Sequence, residues 1–533
     1  MVTSRNDAGV RMEKFDAIVI GSGVGGMTAA AHLAVNGQSV LLLESALDFG
    51  GFTNPFMRKK FHFDPGIHYV GELRPGTHFY DTLKKVGVLD RMSFNRMPDD
   101  CFDRYVFPEI EFRMPASRDE FRARLLSHFP ECADGIDKYM RILKALSRGA
   151  ASRDDAKKTF EEIRAIDGSE TLAGIRSITY GALMRHLFGD HRLIRAVLGG
   201  PCGDIGLPPG QVSAMALLGI FNHYLEGAFF PKGGSGAFRD AFISILRENG
   251  AVLKNRTKVT KIITENGEAV GVLTESGDEY RANVIISNAD PVFTFTQLLG
   301  PGNVKETLIK KSEAIMSSHA SICLFVGTNV PGENIKLGAE NIWYYPSSDI
   351  DACYSALENG LPSGDFAFFL SCPSRKDPDS GKCPPGTEVL EMVVLASYDP
   401  FKKWDNMRAM KRPDDYYELK DQIEKTLMDQ MERLYVPQLS KHIVVKETST
   451  PVTNSYYVPA PRGSIYGPAH TPEQIGTGRF LPRGSVKNLY LCGAGVFNAG
   501  IAPSCVSGFF AAELALKDRS KNFRGAEVQG SAL

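Results

Sequence analysis

An α/β fold built around a Rossmann-like dinucleotide-binding unit is predicted by three features of this 533-residue chain. They are a glycine-rich strand-to-helix turn near the amino end, a second apolar strand that closes on an acid, and a strand–turn–helix near the carboxyl end. Phe15 to Ile20 reads as a buried strand, Gly21-Ser22-Gly23-Val24-Gly25-Gly26 as the turn, and Met27 to Asn36 as a helix. In such a turn Gly21 allows the tight bend, Gly23 and its neighbour Gly25 let the backbone approach phosphates, and Gly26 lets the helix pack close on the strand. The helix N-terminus then aims N–H groups and the positive end of its dipole at a pyrophosphate. Gly37 ends the helix, Ser39 to Leu43 reads as a second parallel strand, and Glu44 lies where an acid bonds the ribose hydroxyls of an adenosine.

Gly50-Gly51 follows the acid, and Phe61 to Gly66 reads as a short strand entering a turn. The series GxGxxG, Glu44, Gly50-Gly51 and Phe63-Asp64-Pro65-Gly66 resembles the amino-terminal part of the FAD-dependent amine oxidase and phytoene desaturase superfamily. Within it, Asp64 to Leu73 and His223 to Phe242 are most similar to the carotenoid isomerase and retinol saturase branch. The resemblance implies a noncovalently held FAD, with Gly50 and Gly51 near the pyrophosphate and ribityl chain. Many members carry Arg after the doublet; Phe52 stands there in this chain, which leaves Thr53 or the backbone for that phosphate contact.

At the other end, Asn488 to Cys492 reads as a strand, Gly493-Ala494-Gly495 as a turn, and Pro503 as the start of a helix to about Lys517. Proline suits a first helical turn because its missing N–H has no partner to lose. The resemblance implies that Gly493, Ala494, Gly500, Ile501 and Ala502 contact the flavin. It also implies a discontinuous FAD-binding domain of residues 14–71, 230–290 and 480–518, and an α+β substrate-binding domain of residues 72–229 and 291–479. Between them, Ala237 to Glu248 has helical spacing, and Ala251 to Lys254, Val259 to Thr264, Ala269 to Thr274 and Val284 to Ile286 read as strands. In the resembling proteins a valine at the position of Val259 lies against the adenine; an ordinary strand-core residue is the other reading.

Gly168 to Phe230 is rich in Leu, Met, Ile and Phe, which fits either a helical core or the wall of an apolar tunnel. Arg375-Lys376 lies in the turn-rich stretch Ser371 to Gly386, expected to be a surface excursion. His68 follows the Asp64-Pro65-Gly66 turn and by resemblance nears the flavin ring, where an imidazole can exchange protons near neutral pH. His223-Tyr224 on a helix faces the substrate cavity or packs in the core, and Tyr466 in the segment Ser455 to Gly467 is placed by resemblance at the cavity border; His68 and Tyr466 are the catalytic candidates, a structural histidine and a packing tyrosine being the other readings. Cys492 and Cys505 are expected to be small packing residues. The histidine spacings give no metal site, and no G-x-S-x-G elbow is present.

With 61 basic and 62 acidic side chains, no charge excess advertises a nucleic-acid partner. Nine scattered cysteines with no CxxC argue against a disulfide framework, and the polar start Met1 to Met12 lacks a signal-peptide core. A cytoplasmic protein is expected; peripheral membrane contact and oligomeric state are open. The implied function is an FAD enzyme that saturates, desaturates or isomerises carbon–carbon double bonds of an apolar carotenoid or retinoid. The alternatives are an FAD-dependent amine oxidase and a non-enzymatic prenyl-binding escort-like protein.

Overall fold

Among the described residues two large sheets, of eight and seven strands, are accompanied by two two-stranded ones. The computed structural model describes residues 3–5, 11–147, 153–300, 302–358 and 360–530. The first sheet runs Val252–Lys254, Val40–Leu43, Arg11–Ile20, Glu279–Ser287, Glu268–Thr274, Val259–Glu265. Its first four strands are mutually parallel, with Ile18 beside Leu41 and Ile285. Glu279–Ser287 is long enough to take two partners on its far side, antiparallel Glu268–Thr274 along its first half and parallel Leu489–Leu491 along its last three residues. The sheet thus joins strands from near both chain ends.

Side chains alternate across this sheet as strand geometry requires. Ala17, Val19, Val40 and Leu42 face the helices Val24–Val35, Ser235–Glu248 and Ile501–Gly530, whereas Ile18, Ile20, Leu41 and Leu43 face Val259, Ile262 and Phe295. Both faces are covered, so the strands are continuously apolar. Small residues let the first and last helices approach closely: Ala29, Ala30 and Ala34 are buried with Ala511, Ala512 and Ala515. A Cβ at Gly508 would overlap the Gly25 carbonyl oxygen.

The second sheet runs Ile443–Ser449, Ala320–Thr328, Glu388–Ala396, Phe368–Ser371, Asn341–Tyr344, Asp103–Val106, Glu111–Met114. Every neighbouring pair is antiparallel except the parallel Asn341–Tyr344 with Asp103–Val106. It shares a large apolar core with the helices Ala133–Leu146, Tyr180–Phe188 and Ala214–Tyr224. Full burial of each Leu, Ile or Phe there contributes about 1.5–3 kcal/mol.

Two local expectations change. The last helix begins at Ile501, two residues before Pro503, and runs to Gly530. Gly500, at φ +96°, turns the chain and accepts the Ser504 N–H, so Pro503 still falls in the first turn, where it has no hydrogen bond to break. The stretch Ser371 to Gly386 is a surface excursion only in part, exposed at Pro378, Asp379, Gly381, Pro385 and Gly386. Lys376, Asp377 and Lys382 are all at most 5% exposed, because acids from distant segments draw this stretch inward.

Candidate functional site

The turn Gly21 to Gly26 owes its shape to three different constraints. Gly21 sits at φ +88°, a left-handed conformation that disfavours side chains, and no atom would crowd its Cβ closer than 3.7 Å. A Cβ on Gly23 would come 2.8 Å from the Asn288 amide nitrogen, and one on Gly26 would overlap the Gly21 carbonyl oxygen. Steric collision therefore explains Gly26, conformation explains Gly21, and Asn288 is a neighbour that the motif alone does not reveal. Asn288 follows the strand Glu279–Ser287 and fits between the turn and the carboxyl-terminal segment. Its Oδ1 would lie 2.6 Å from a Cβ on Gly25 and accepts the Cys492 thiol at 3.5 Å.

Glu44 locks the second strand to this turn. Its carboxylate accepts the Ser22 N–H at 2.8 Å, the Ser22 hydroxyl at 2.6 Å and the Ala46 N–H at 2.8 Å. Ser22 Oγ in turn accepts the Gly50 N–H at 3.0 Å, which ties the glycine doublet to the same point. Gly50 and Gly51 have φ of +119° and +56°, and the Thr53 hydroxyl donates to the Gly50 carbonyl at 2.8 Å. Thr53 thus shapes the doublet.

Except for Gly26, which packs behind the turn, every cofactor and catalytic residue expected from the sequence lines one continuous cavity of about 2270 Å³. Single-ligand pockets span roughly 300–1,000 Å³, so this space accommodates a dinucleotide together with a second molecule. The walls fit a pyrophosphate: a Cβ on Gly51 would sit 3.4 Å from Gly23 Cα, and one on Gly25 would sit 3.0 Å from the Gly493 backbone. The helix Val24–Val35 has neither a side-chain cap nor an acid in its first turn. Its N–H face is left for an anion from outside. Val259 is 5% exposed and belongs to the sheet core while also bordering the cavity.

The carboxyl-terminal wall is held by a buried cation. Arg479 is fully buried, donating to the carbonyls of Pro468 at 3.1 Å and Ala494 at 3.2 Å and to His470 Nε2 at 2.9 Å. His470 Nε2 also accepts the Ala499 N–H at 3.0 Å. Burial, and then the neighbouring Arg479 charge, hold the imidazole well below its ordinary pKa, in keeping with a neutral acceptor. Gly493, whose N–H donates to Ser507 Oγ at 2.8 Å, is thereby fixed between the last strand and the last helix.

Beyond the glycine turns the cavity changes character. One side of the helix Ala214–Tyr224 presents Met215, Ala216, Gly219, Ile220 and His223 to the cavity, while Leu217, Leu218 and Phe221 go to the core. Within the apolar segment Gly168 to Phe230, this helix thus turns one face to the core and the other to the cavity. His223 Nε2 accepts the Gly71 N–H at 2.8 Å, and Tyr224 stacks on Tyr69 with centroids 4.4 Å apart.

His68 sits on the cavity wall with its Nδ1 3.2 Å from Glu391 Oε2 and its ring 5.0 Å from Phe369. Glu391, 1% exposed, also accepts the Asp64 N–H at 2.8 Å. Asp64 accepts the N–H and hydroxyl of Ser235 at 2.8 and 2.7 Å and pairs with Lys382. The carboxylate thus caps the helix Ser235–Glu248, and a Cβ on Gly234 would collide with the ion pair. This contact explains why an Asp-Pro-Gly turn and a Pro-Lys-Gly-Gly-Ser-Gly segment occur in one chain.

A second buried polar group lies beside it. Lys376 donates to the His68 carbonyl at 2.8 Å, to Ser371 Oγ at 2.7 Å and to Asn341 Oδ1; burial brings its pKa down to about 8. Asp103 accepts from Asn341 Nδ2 at 2.8 Å, Trp343 Nε1 at 3.3 Å and Tyr69 at 3.1 Å, yet burial raises its pKa to about 6. Asp204, facing the cavity, is raised well above the carboxylate range by burial and then by the Asp103 charge. Tyr466 borders the same space, packed against Gly206, with its phenol pKa raised by burial. Asp204 escapes a sequence reading because no short motif contains it, whereas Tyr69 lies within the segment Asp64 to Leu73 and Lys376 within the pair Arg375-Lys376, neither with a partner that the sequence discloses.

Cys505 is fully buried, as is Cys492 to within 1% exposure, consistent with packing roles. Away from the cavity, Glu131, Cys132 and His191 gather their ligand atoms within 4.8 Å, where His191 Nε2 already meets Glu131 Oε1 at 2.6 Å. Among the described residues no helix is long and apolar enough to cross a membrane.

The chain matches the family model for flavin-containing amine oxidoreductases over residues 24–516. It is 30% identical over 522 residues to all-trans-retinol 13,14-reductase of Macaca fascicularis, covering 92% of this chain and 83% of that protein. It is 28% identical to chloroplastic prolycopene isomerase of Daucus carota, covering 96% and 82%. Among solved structures, an oxidoreductase from Methanosarcina mazei superposes with a TM-score of 0.61 at 16% identity, covering 94% of this chain and all of that one. This chain is therefore a member of the flavin-containing amine oxidoreductase family, an FAD-dependent oxidoreductase.

Proposed function

We propose that the protein holds FAD noncovalently and exchanges hydrogen across a carbon–carbon double bond of an elongated, apolar isoprenoid such as a retinoid or carotenoid. The observation that carries this reading is the match, over more than nine-tenths of the chain, to a retinol reductase and a prolycopene isomerase. The apolar face of the helix Ala214–Tyr224 supports it, since burial of apolar surface contributes about 25 cal/mol per Å² and suits a long hydrocarbon.

When bound, FAD supplies the hydride step. The chain's own groups bind, orient and exclude water. Glu44 would take the adenosine ribose, Val259 would border the adenine, and Gly21, Gly23 and Gly25 with Gly50, Gly51 and Thr53 would form the pyrophosphate channel, while Gly26 packs behind the turn. Gly493, Ala494, Gly500, Ile501 and Ala502 close over the ring. His68, whose Nδ1 lies 3.2 Å from Glu391 Oε2 without hydrogen-bond geometry, would exchange the proton at the flavin face. Tyr466 shapes the substrate side.

Purified protein should be yellow, and acid precipitation should release free FAD into the supernatant; flavin that stays with the pellet would show a covalent link. Anaerobic incubation with carotenoids, retinol and a panel of amines, followed by flavin absorbance and product mass, tests the substrate class. Absorbance changes and mass-shifted products are expected with polyenes. Flavin bleaching by amines alone would overturn the reading in favour of an amine oxidase.

A further inference from the structure

We propose that Asp204 is the acid that delivers the proton to the substrate carbon, and that Tyr69 is the positioning residue that keeps it protonated between turnovers. The proposal rests on the double-bond chemistry above. It comes from counting protons. The Tyr69 oxygen lies 2.9 Å from Asp204 Oδ2 and 3.1 Å from Asp103 Oδ2. A phenol carries one proton and can donate to only one of them. The other carboxyl must donate to the phenol oxygen and so must itself be protonated.

The surroundings decide which acid that is. Asp103 already receives Asn341 Nδ2 at 2.8 Å and Trp343 Nε1 at 3.3 Å, and the Lys376 charge acts on it. Asp204 has Asp103 and Tyr69 on one side. Its other titratable neighbours are the phenols of Tyr105, Tyr224, Tyr354 and Tyr466 and the thiol of Cys202. None of these is a cation. The negative charge therefore rests on Asp103, Tyr69 donates to it, and Asp204 donates to Tyr69. Burial disfavours the charged form of Asp204 further.

Asp204 is also placed to act. It ends the short helix Gly200–Asp204 and lines the same cavity as Met215, Ile220, Trp343 and Phe369. A neutral acid among apolar lining residues suits a substrate that has no polar group at the reacting carbons. In saturation, the π pair of the double bond forms a new C–H bond with the Asp204 proton as the Asp204 O–H bond breaks. A flavin reduced by a two-electron donor would supply the hydride, with its electron pair, to the adjacent carbon. The carboxylate left behind accepts the Tyr69 hydroxyl, which swings from Asp103, and solvent restores the proton on product release. Desaturation runs the same transfers backwards.

Infrared spectroscopy of the cofactor-free protein at neutral pH should show the carbonyl stretch of a protonated carboxyl group, shifted in heavy water and lost in Asp204→Asn. Absence of that band from the wild type, or its full retention in Asp204→Asn, would overturn the proposal. With dithionite as the reductant and a polyene that the wild type converts, Asp204→Asn should keep its FAD and lose about 10²–10⁴-fold in rate. Wild-type product formed in heavy water should carry two deuteriums, because the Asp204 proton and the hydride of a dithionite-reduced flavin would both derive from solvent. Tyr69→Phe, which retains the ring packing, should move the infrared band and the pH profile of turnover. Asp204→Asn rates within a few-fold of wild type would refute proton delivery. A wild type inactive on every polyene would instead refute the double-bond reading, and the infrared band would still decide whether Asp204 is the neutral acid.

Discussion

His68→Ala should retain FAD and its visible spectrum while turnover falls by about two to four orders of magnitude, the usual contribution of a positioned proton-transfer group. None of the glycine contacts that shape the pyrophosphate channel involves the imidazole, so cofactor content has no reason to change. The ring instead joins the cavity to Glu391, 3.2 Å from Nδ1. Glu391 would keep the Asp64 N–H at 2.8 Å as a donor, so the local backbone should survive the substitution. Single-turnover kinetics over a pH series separate the outcomes. Loss of rate with loss of the wild-type pH dependence supports proton exchange. An unchanged rate and profile would make His68 a packing residue, and a parallel loss of FAD and activity would make it part of the cofactor pocket.

Lys382→Met should destabilise the fold by about 3–5 kcal/mol, because removing one member of a buried ion pair strands the other charge. Lys382 is 5% exposed and Asp64 is fully buried. Asp64 would keep Ser235 N–H and Oγ at 2.8 and 2.7 Å, so it would remain as an uncompensated carboxylate at the helix N-terminus. Urea unfolding followed by circular dichroism measures the loss. Adding Asp64→Asn to Lys382→Met should recover part of it, since the neutral amide removes the stranded charge. A single variant within 0.5 kcal/mol of wild type, roughly the effect of an ordinary surface substitution, would show that the pair contributes nothing net. FAD content of the same variants reports whether the cap on Ser235–Glu248 matters to the cofactor site, since Gly50 packs against Arg239 of that helix.

Much of the cofactor side was legible in the amino-acid sequence because its requirements are local. A positive φ at Gly21, the overlap of a Gly26 Cβ with the Gly21 carbonyl and the run Val40 to Leu43 ending at Glu44 each involve residues close along the chain. Strand alternation and glycine conformation act over a few residues, so a short motif records them. The apolar segment around Ala214–Tyr224 was legible as helix or wall, but composition could not say which face does which.

The polar chemistry of the site was decided only by the tertiary structure. Lys382 meets Asp64 across 318 residues, Lys376 meets the His68 carbonyl across 308, and Tyr69 meets Asp204 across 135. Read alone, Lys376 and Lys382 lie among prolines and glycines and look solvated; only the acids brought by the folded sheets make their burial tolerable. A charge's partner, and hence its protonation, depends on the whole surrounding volume, which no local pattern encodes. The chain by itself therefore determined the glycine turns and strand ends proposed to hold a dinucleotide, and the packing of its distant segments determined which acids and bases face the space beyond them.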